Sequence, residues 1–183
     1  MIKYFFVIMI FLCINKFLIF IRIRIETKFK NNFKTRSIIN RIDLIDYGVD
    51  YYLLLCKYII SKMKDISDIV IEDISGREVV DIKFNQNGKM VYCSCILKDR
   101  LENKKFDLVT YYEVLDLLNY MIKDNVNRGI IFVNSDLIED ASKFINDINL
   151  NSNKYKIDIV SGYDIIKFAR KRNEEYNKEL LYA

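Results

Sequence analysis

The sequence predicts an α/β sandwich around one central mixed sheet, and three observations carry that reading. A meander of short strands, with an Asn-Gly turn inside it, runs from Asp68 to Leu97. Beyond it, short apolar β runs alternate with amphipathic helical stretches, which implies right-handed parallel crossovers. A helical repeat of apolar residues over 50–63 precedes the meander. The element order is then α-β-β-β-α-β-α-β-α, with mixed strands at the centre and helices flanking them, preceded by one transmembrane helix.

The N-terminal element is that span. Residues 4–21 read YFFVIMIFLCINKFLIFI, about the length a helix needs to cross a bilayer. Asn15 and Lys16 interrupt it. A central lysine costs roughly 3 kcal/mol, but each Leu, Ile, Phe or Val returns about 0.3–0.6 kcal/mol, so insertion stays favourable. A secretory signal is the first alternative, but no small-x-small cleavage site follows, and Leu12 before Cys13 is too large for a lipoprotein site. A buried core helix is the second, and the segment's apolar character all round favours lipid over it. Arg22, Arg24, Lys28, Lys30, Lys34 and Arg36 follow the span, against Lys3 before it. The positive-inside rule then leaves the rest of the chain as a soluble domain in the cytoplasm. The expected division is an anchor over 1–22, a basic juxtamembrane connector over 23–45, one domain over 46–175 and a tail over 176–183.

Within the domain each element has its own signal. Residues 50–63 (DYYLLLCKYIISKM) repeat at helical spacing, and 68–74 (DIVIEDI) alternate like a strand that Ser75-Gly76 breaks. Residues 78–84 form the next strand, and Asn85-Gln86-Asn87-Gly88 ends in a hairpin dipeptide because both its last residues tolerate positive φ. Residues 89–97 are the return strand, followed by a polar loop. Residues 107–124 are a long amphipathic helix, and 129–133 (GIIFV) is a wholly apolar strand of the kind buried on both faces. A helix over 136–147, with Ser135 and Asp136 as caps, a strand over 156–160 and a helix over 163–180 opened by Ser161-Gly162 complete the chain.

Composition removes some chemistries. The 183 residues include no His, Pro or Trp. Without His there is no Ser-His or Cys-His catalysis and no imidazole base. Of the four cysteines, Cys93 and Cys95 are two apart on one strand and point the same way, where a disulfide between them would be strained. They read as free, buried thiols of a reducing compartment. The formal net charge of +4 is mildly basic.

Three local stretches then carry a resemblance. VVDI is followed by the Asn-Gly hairpin and a cysteine-bearing strand; RGIIFVNSDLIEDA places Gly129, Leu137, Asp140 and Ala141 at a recurring spacing; IDIVSGYDII closes with a strand, a Gly turn and a helix. From about Tyr51 to Lys171, some two-thirds of the chain, the pattern resembles the Mrr-like restriction endonuclease domain of the PD-(D/E)xK nuclease superfamily. The resemblance implies a restriction-endonuclease-like sheet, DNA as partner, and phosphodiester hydrolysis with Mg²⁺ held by an acid at the end of one strand and an amide or acid on the next. Asp81 matches the first acid and so the metal position. If Cys95 matches the family's cysteine, Ser94 stands at the amide position and Ile96 at the lysine position; if Cys93 does, the positions are Tyr92 and Ser94. Both registers use one strand face, and neither supplies the pair. Lys98, one step further on that face, is the displaced lysine candidate.

Asp81 and Lys98 are therefore the catalytic candidates, and Lys83, Lys89, Lys98, Arg100, Lys104 and Lys105 the DNA-contact candidates. Three functions follow. The first is a membrane-anchored, Mrr-like protein that binds DNA with cleavage lost or weak. The second is an active Mg²⁺-dependent endonuclease with a site rearranged around Asp81, Lys98 and an acid such as Asp73. The third is a non-enzymatic membrane-associated module that presents the tyrosines of the 107–124 helix to a partner.

Overall fold

The computed structural model describes residue 16, residues 40–72, 79–102 and 105–181, with side chains as far as Arg172. The chain divides into two compact units, 1–37 and 38–183, and the second carries the sheet. The expected span over 1–22 and most of the connector lie outside the described residues. Among the described residues no helix is long and apolar enough to cross a membrane.

The second unit opens with a short helix, α1 (Arg41–Asp46), in the stretch read from sequence as connector. Its signal is a capping box. The Asn40 side chain accepts from the amides of Ile42 and Asp43, and the Asp43 carboxylate accepts from the Asn40 amide. Helix α2 (Gly48–Ser61) follows at once. Strands β1 (Ile66–Ile71), β2 (Ile82–Gln86), β3 (Lys89–Ile96), β4 (Arg128–Val133) and β5 (Lys156–Val160) form one five-stranded sheet in sequence order. The first two pairings are antiparallel and the last two parallel, as the meander and the crossovers require. The β2–β3 turn places Asn87 at φ 52° and Gly88 at φ 73°, the left-handed region that a tight hairpin demands.

Three further helices complete the order: α3 (Tyr111–Lys123), α4 (Glu139–Asn151) and α5 (Gly162–Leu181). Helix α3 starts later than the periodicity suggests because Thr110 and Glu113 form its capping box, while Val109 bridges to Leu137. Helix α4 also starts late. Its cap is Ile138, not Ser135 or Asp136; the Asp136 carboxylate instead grips Arg41, and Ser135 is buried. At α5, Asp164 accepts from the Ser161 hydroxyl, and Gly162 lies so close to Asn134 that a Cβ would meet its carbonyl oxygen at 2.6 Å. Only glycine fits there.

The layers follow from alternation along the strands. Helices α3 and α4 pack on each other and on one sheet face, closing a core of Tyr92, Val114, Leu117, Met121, Ile131 and Ile145. Helices α2 and α5 meet over the opposite face. There Tyr52, Leu55, Ile59, Phe84, Phe132 and Ile165 are fully or almost fully buried. Each such Leu, Ile or Phe side chain contributes roughly 1.5–3 kcal/mol by leaving water.

Candidate functional site

The hairpin carries the candidate residues, and its ladder decides where they point. Ile82 faces Cys93 across β2 and β3, yet the amide of Asp81 also donates to the Cys93 carbonyl at 2.9 Å. Two consecutive residues thus address one partner, the signature of a β-bulge. Val80 joins the core beneath α3, whereas the Asp81 carboxylate turns to the amide of Cys95 and accepts from it at 2.6 Å. Asp81 thereby ends the β2 ladder with its own side chain.

That position is half-buried and rich in sulfur. Cys56 from α2, Cys93 and Cys95 are all buried and free, and the Cys93 and Cys95 sulfurs are 3.9 Å apart. Burial pushes the thiols of Cys56 and Cys93 well up. Cys95 is also pushed up by burial, but the thiols of Cys56 and Cys93 donate to it and hold it below the ordinary value. Asp81 is raised to about 7, first by burial and then by negative charge on Cys95, against the lowering effect of the Cys95 amide. The Tyr52 hydroxyl is buried beside these thiols, and burial first, then the neighbouring thiols, hold its proton on.

Lys98 has a different setting. Asn134, fully buried, clamps its backbone by accepting from the Lys98 amide at 2.7 Å and donating to its carbonyl at 2.9 Å. The Lys98 ammonium lies 2.9 Å from Glu113 and 3.6 Å from Asp107. Glu113 also accepts from the amide and hydroxyl of Thr110. The lysine therefore neutralises an acidic notch at the start of α3. No ion pair joins it to Asp81 among the described residues. Ser94 is buried and Ile96 half-buried on the α3 side of β3, the face that the alternation assigns to both.

A hard cation such as Mg²⁺ requires several oxygen ligands. Asp81 brings one carboxylate, already engaged by an amide and flanked by soft thiols. Among the described residues no three His, Cys, Asp or Glu side chains group so as to hold a metal ion. These residues do not fit Mg²⁺. Asp73, the second acid named from the sequence, lies outside the described residues.

The described DNA-contact candidates do not form one patch. Lys83 is paired with Glu72 at 3.0 Å and lies over the Tyr92 ring. Lys89 is exposed at the hairpin, whereas Lys98, Arg100 and Lys105 lie beyond the other end of β3. A strand of that length separates the two groups by roughly 25 Å. Lys104 lies outside the described residues.

No protein-family model matches the chain, and no curated protein matches it in sequence. Among solved structures it is similar to a protein of unknown function, AF1548, with a TM-score of 0.41 and 10% identity over 72% of this chain and 97% of that one. It is also similar to the MspJI restriction endonuclease in complex with a 27-mer oligonucleotide, with a TM-score of 0.45 and 12% identity. That match covers 67% of this chain and 27% of the endonuclease.

Proposed function

We propose that the chain is a DNA-binding protein of restriction-endonuclease-like fold in which Mg²⁺-dependent cleavage is lost or weak, and that residues 1–22 tether it to a membrane. The observation that carries the loss of cleavage is the engagement of Lys98 by Glu113 and Asp107. A lysine that orients water or steadies a phosphate must be free to approach it. This one is neutralised, and Asp81 is committed elsewhere. The fold and the DNA partner rest on the hairpin, helix and Gly-turn patterns of the sequence. The tether rests on the apolar run over 4–21 and the basic residues after it.

Incubating the 183-residue chain with supercoiled plasmid and Mg²⁺ or Mn²⁺ tests the reading. The expected result is nicking no faster than that of the Asp81→Ala variant. Cleavage that vanishes in Asp81→Ala sinks the proposal in favour of the rearranged active nuclease. For the tether, alkaline extraction of membranes is expected to leave the full chain in the pellet and to release a chain lacking residues 1–22.

A further inference from the structure

The cations of the hairpin face are neutralised or scattered, but a second set is gathered in one groove. Arg41 from α1 and Tyr163, Lys167, Arg170 and Lys171 from α5 line a groove of about 530 Å³. The three α5 cations recur at helical spacing along one exposed stripe. Neither the Lys167 nor the Lys171 side chain makes an ion pair or hydrogen bond among the described residues. Among the described residues, Asp136 holds Arg41 at 3.1 and 3.3 Å, and Asp164 caps α5 through Ser161. Lys167 and Lys171 therefore give the groove its positive charge, and concavity concentrates their field. Tyr163 at its rim is 69% exposed, a large ring with no core to fill.

We propose that this groove holds the sugar-phosphate backbone of a nucleic-acid strand, with Lys167 and Lys171 on phosphates and Tyr163 stacked on a base. The proposal rests on the DNA-binding reading and moves the contact from the hairpin to α5. Two lysines one helical turn apart, about 6 Å along the axis, present charges in a row that a strand can follow. An exposed aromatic beside them is the usual platform for an unpaired base. A flat lipid surface would meet the rims of the groove and leave its floor unused.

Fluorescence anisotropy of the full chain in detergent, with a labelled single-stranded DNA 20-mer and salt from 50 to 200 mM, tests it. The Lys167→Ala/Lys171→Ala variant is expected to bind about tenfold more weakly. Its log-log salt slope should be shallower by about 1.4, the share of two phosphate contacts to a single strand. Tyr163→Ala is expected to weaken binding at least fivefold without changing the slope, as loss of one stacked base requires. Circular dichroism should match the wild type, because all three side chains are exposed. If Lys167→Ala/Lys171→Ala binds fully while Lys89→Ala/Arg100→Ala loses affinity, the groove is overturned and the DNA-binding reading stands. If the wild-type chain has no affinity for the oligonucleotide at 50 mM salt, both fail. Binding to phosphatidylserine vesicles in that case would assign the groove to lipid.

Discussion

The two faces of β3 carry neighbouring residues to opposite electrostatic ends. On one face Cys93 and Cys95 meet Cys56, Tyr52 and the carboxyl of Asp81 in a space with no described cation paired to it. On the other, Tyr92, Ser94 and Ile96 lie under or beside α3, and the nearby charges are matched: Lys83 by Glu72, Lys98 by Glu113 and Asp107. A hydrolytic hairpin needs its acid and its lysine on one side. The bulge at Asp81 sends the acid to the thiols, and the notch at α3 keeps the lysine away from it. The lesson is that strand alternation alone does not assign a side chain at a strand end, because one bulged residue reverses it.

The largest expected effect comes from forcing an acid onto the second face. Ser94 is 5% exposed, and among the described residues its side chain makes no hydrogen bond. Ser94→Glu places an unpaired carboxylate in that layer and should cost about 3–5 kcal/mol, read from urea unfolding at pH 8. A loss below about 1 kcal/mol would mean that water reaches this face and that the position could take a polar ligand after all.

The next effect probes the thiol face through pH. Asp81 is raised from the ordinary carboxylate value to about 7, so the folded protein holds this proton more tightly than the unfolded chain does. Its contribution is complete below about pH 4 and is lost as pH rises through about 7, a change on the order of 4 kcal/mol. Asp81→Asn, which keeps an oxygen for the Cys95 amide, should flatten that part of the stability profile. Cys95→Ser should shift the fall to lower pH, because negative charge on Cys95 is the second cause of the raised value. A profile unchanged in Asp81→Asn would show that the carboxyl is hydrated in the folded state.

These contrasts also mark what the sequence could and could not reveal. The strands and crossovers were legible because their signals are local: Asn87-Gly88 for the hairpin, the GIIFV run for β4, Ser161-Gly162 for the start of α5. Helix α1 was legible in principle from Asn40 and Asp43, a capping box masked by the basic stretch before it. The starts of α3 and α4 shifted because caps, not periodicity, set them. The thiol cluster was not legible. Cys56 reaches Cys95 only through the packing of α2 on β3, across 39 residues of chain. The α5 groove was hidden for the same reason, since Arg41 and Lys171 lie at opposite ends of the domain.

A smaller effect separates the two charges of the α3 notch. The Lys98 side chain is 14% exposed and that of Glu113 31%, so their attraction is screened less than at an open surface. Lys98→Met should cost about 1–2 kcal/mol, because Glu113 is left beside Asp107 without its cation. A double-mutant cycle with Glu113→Gln should return about 1 kcal/mol of coupling. Coupling near zero, together with plasmid nicking by the wild-type chain, would free Lys98 for chemistry and weaken the contrast between the faces.

The smallest effect concerns the turn on which both faces depend. Gly88 sits at φ 73° with no atom within 4 Å of an added Cβ. Gly88→Ala therefore meets no clash, and its whole cost is that of holding an L-residue in the left-handed region, about 1 kcal/mol. Asn87 already occupies that region at φ 52°, which asparagine tolerates better than most side chains. The substitution should lower the thermal midpoint by a few degrees and leave the pH profile of Asp81 intact, because the bulge lies at the far end of β2 from the turn. If the pH profile moves with it, the register of the hairpin sets the bulge, and the division of β3 into two faces is decided at the turn instead of at Asp81.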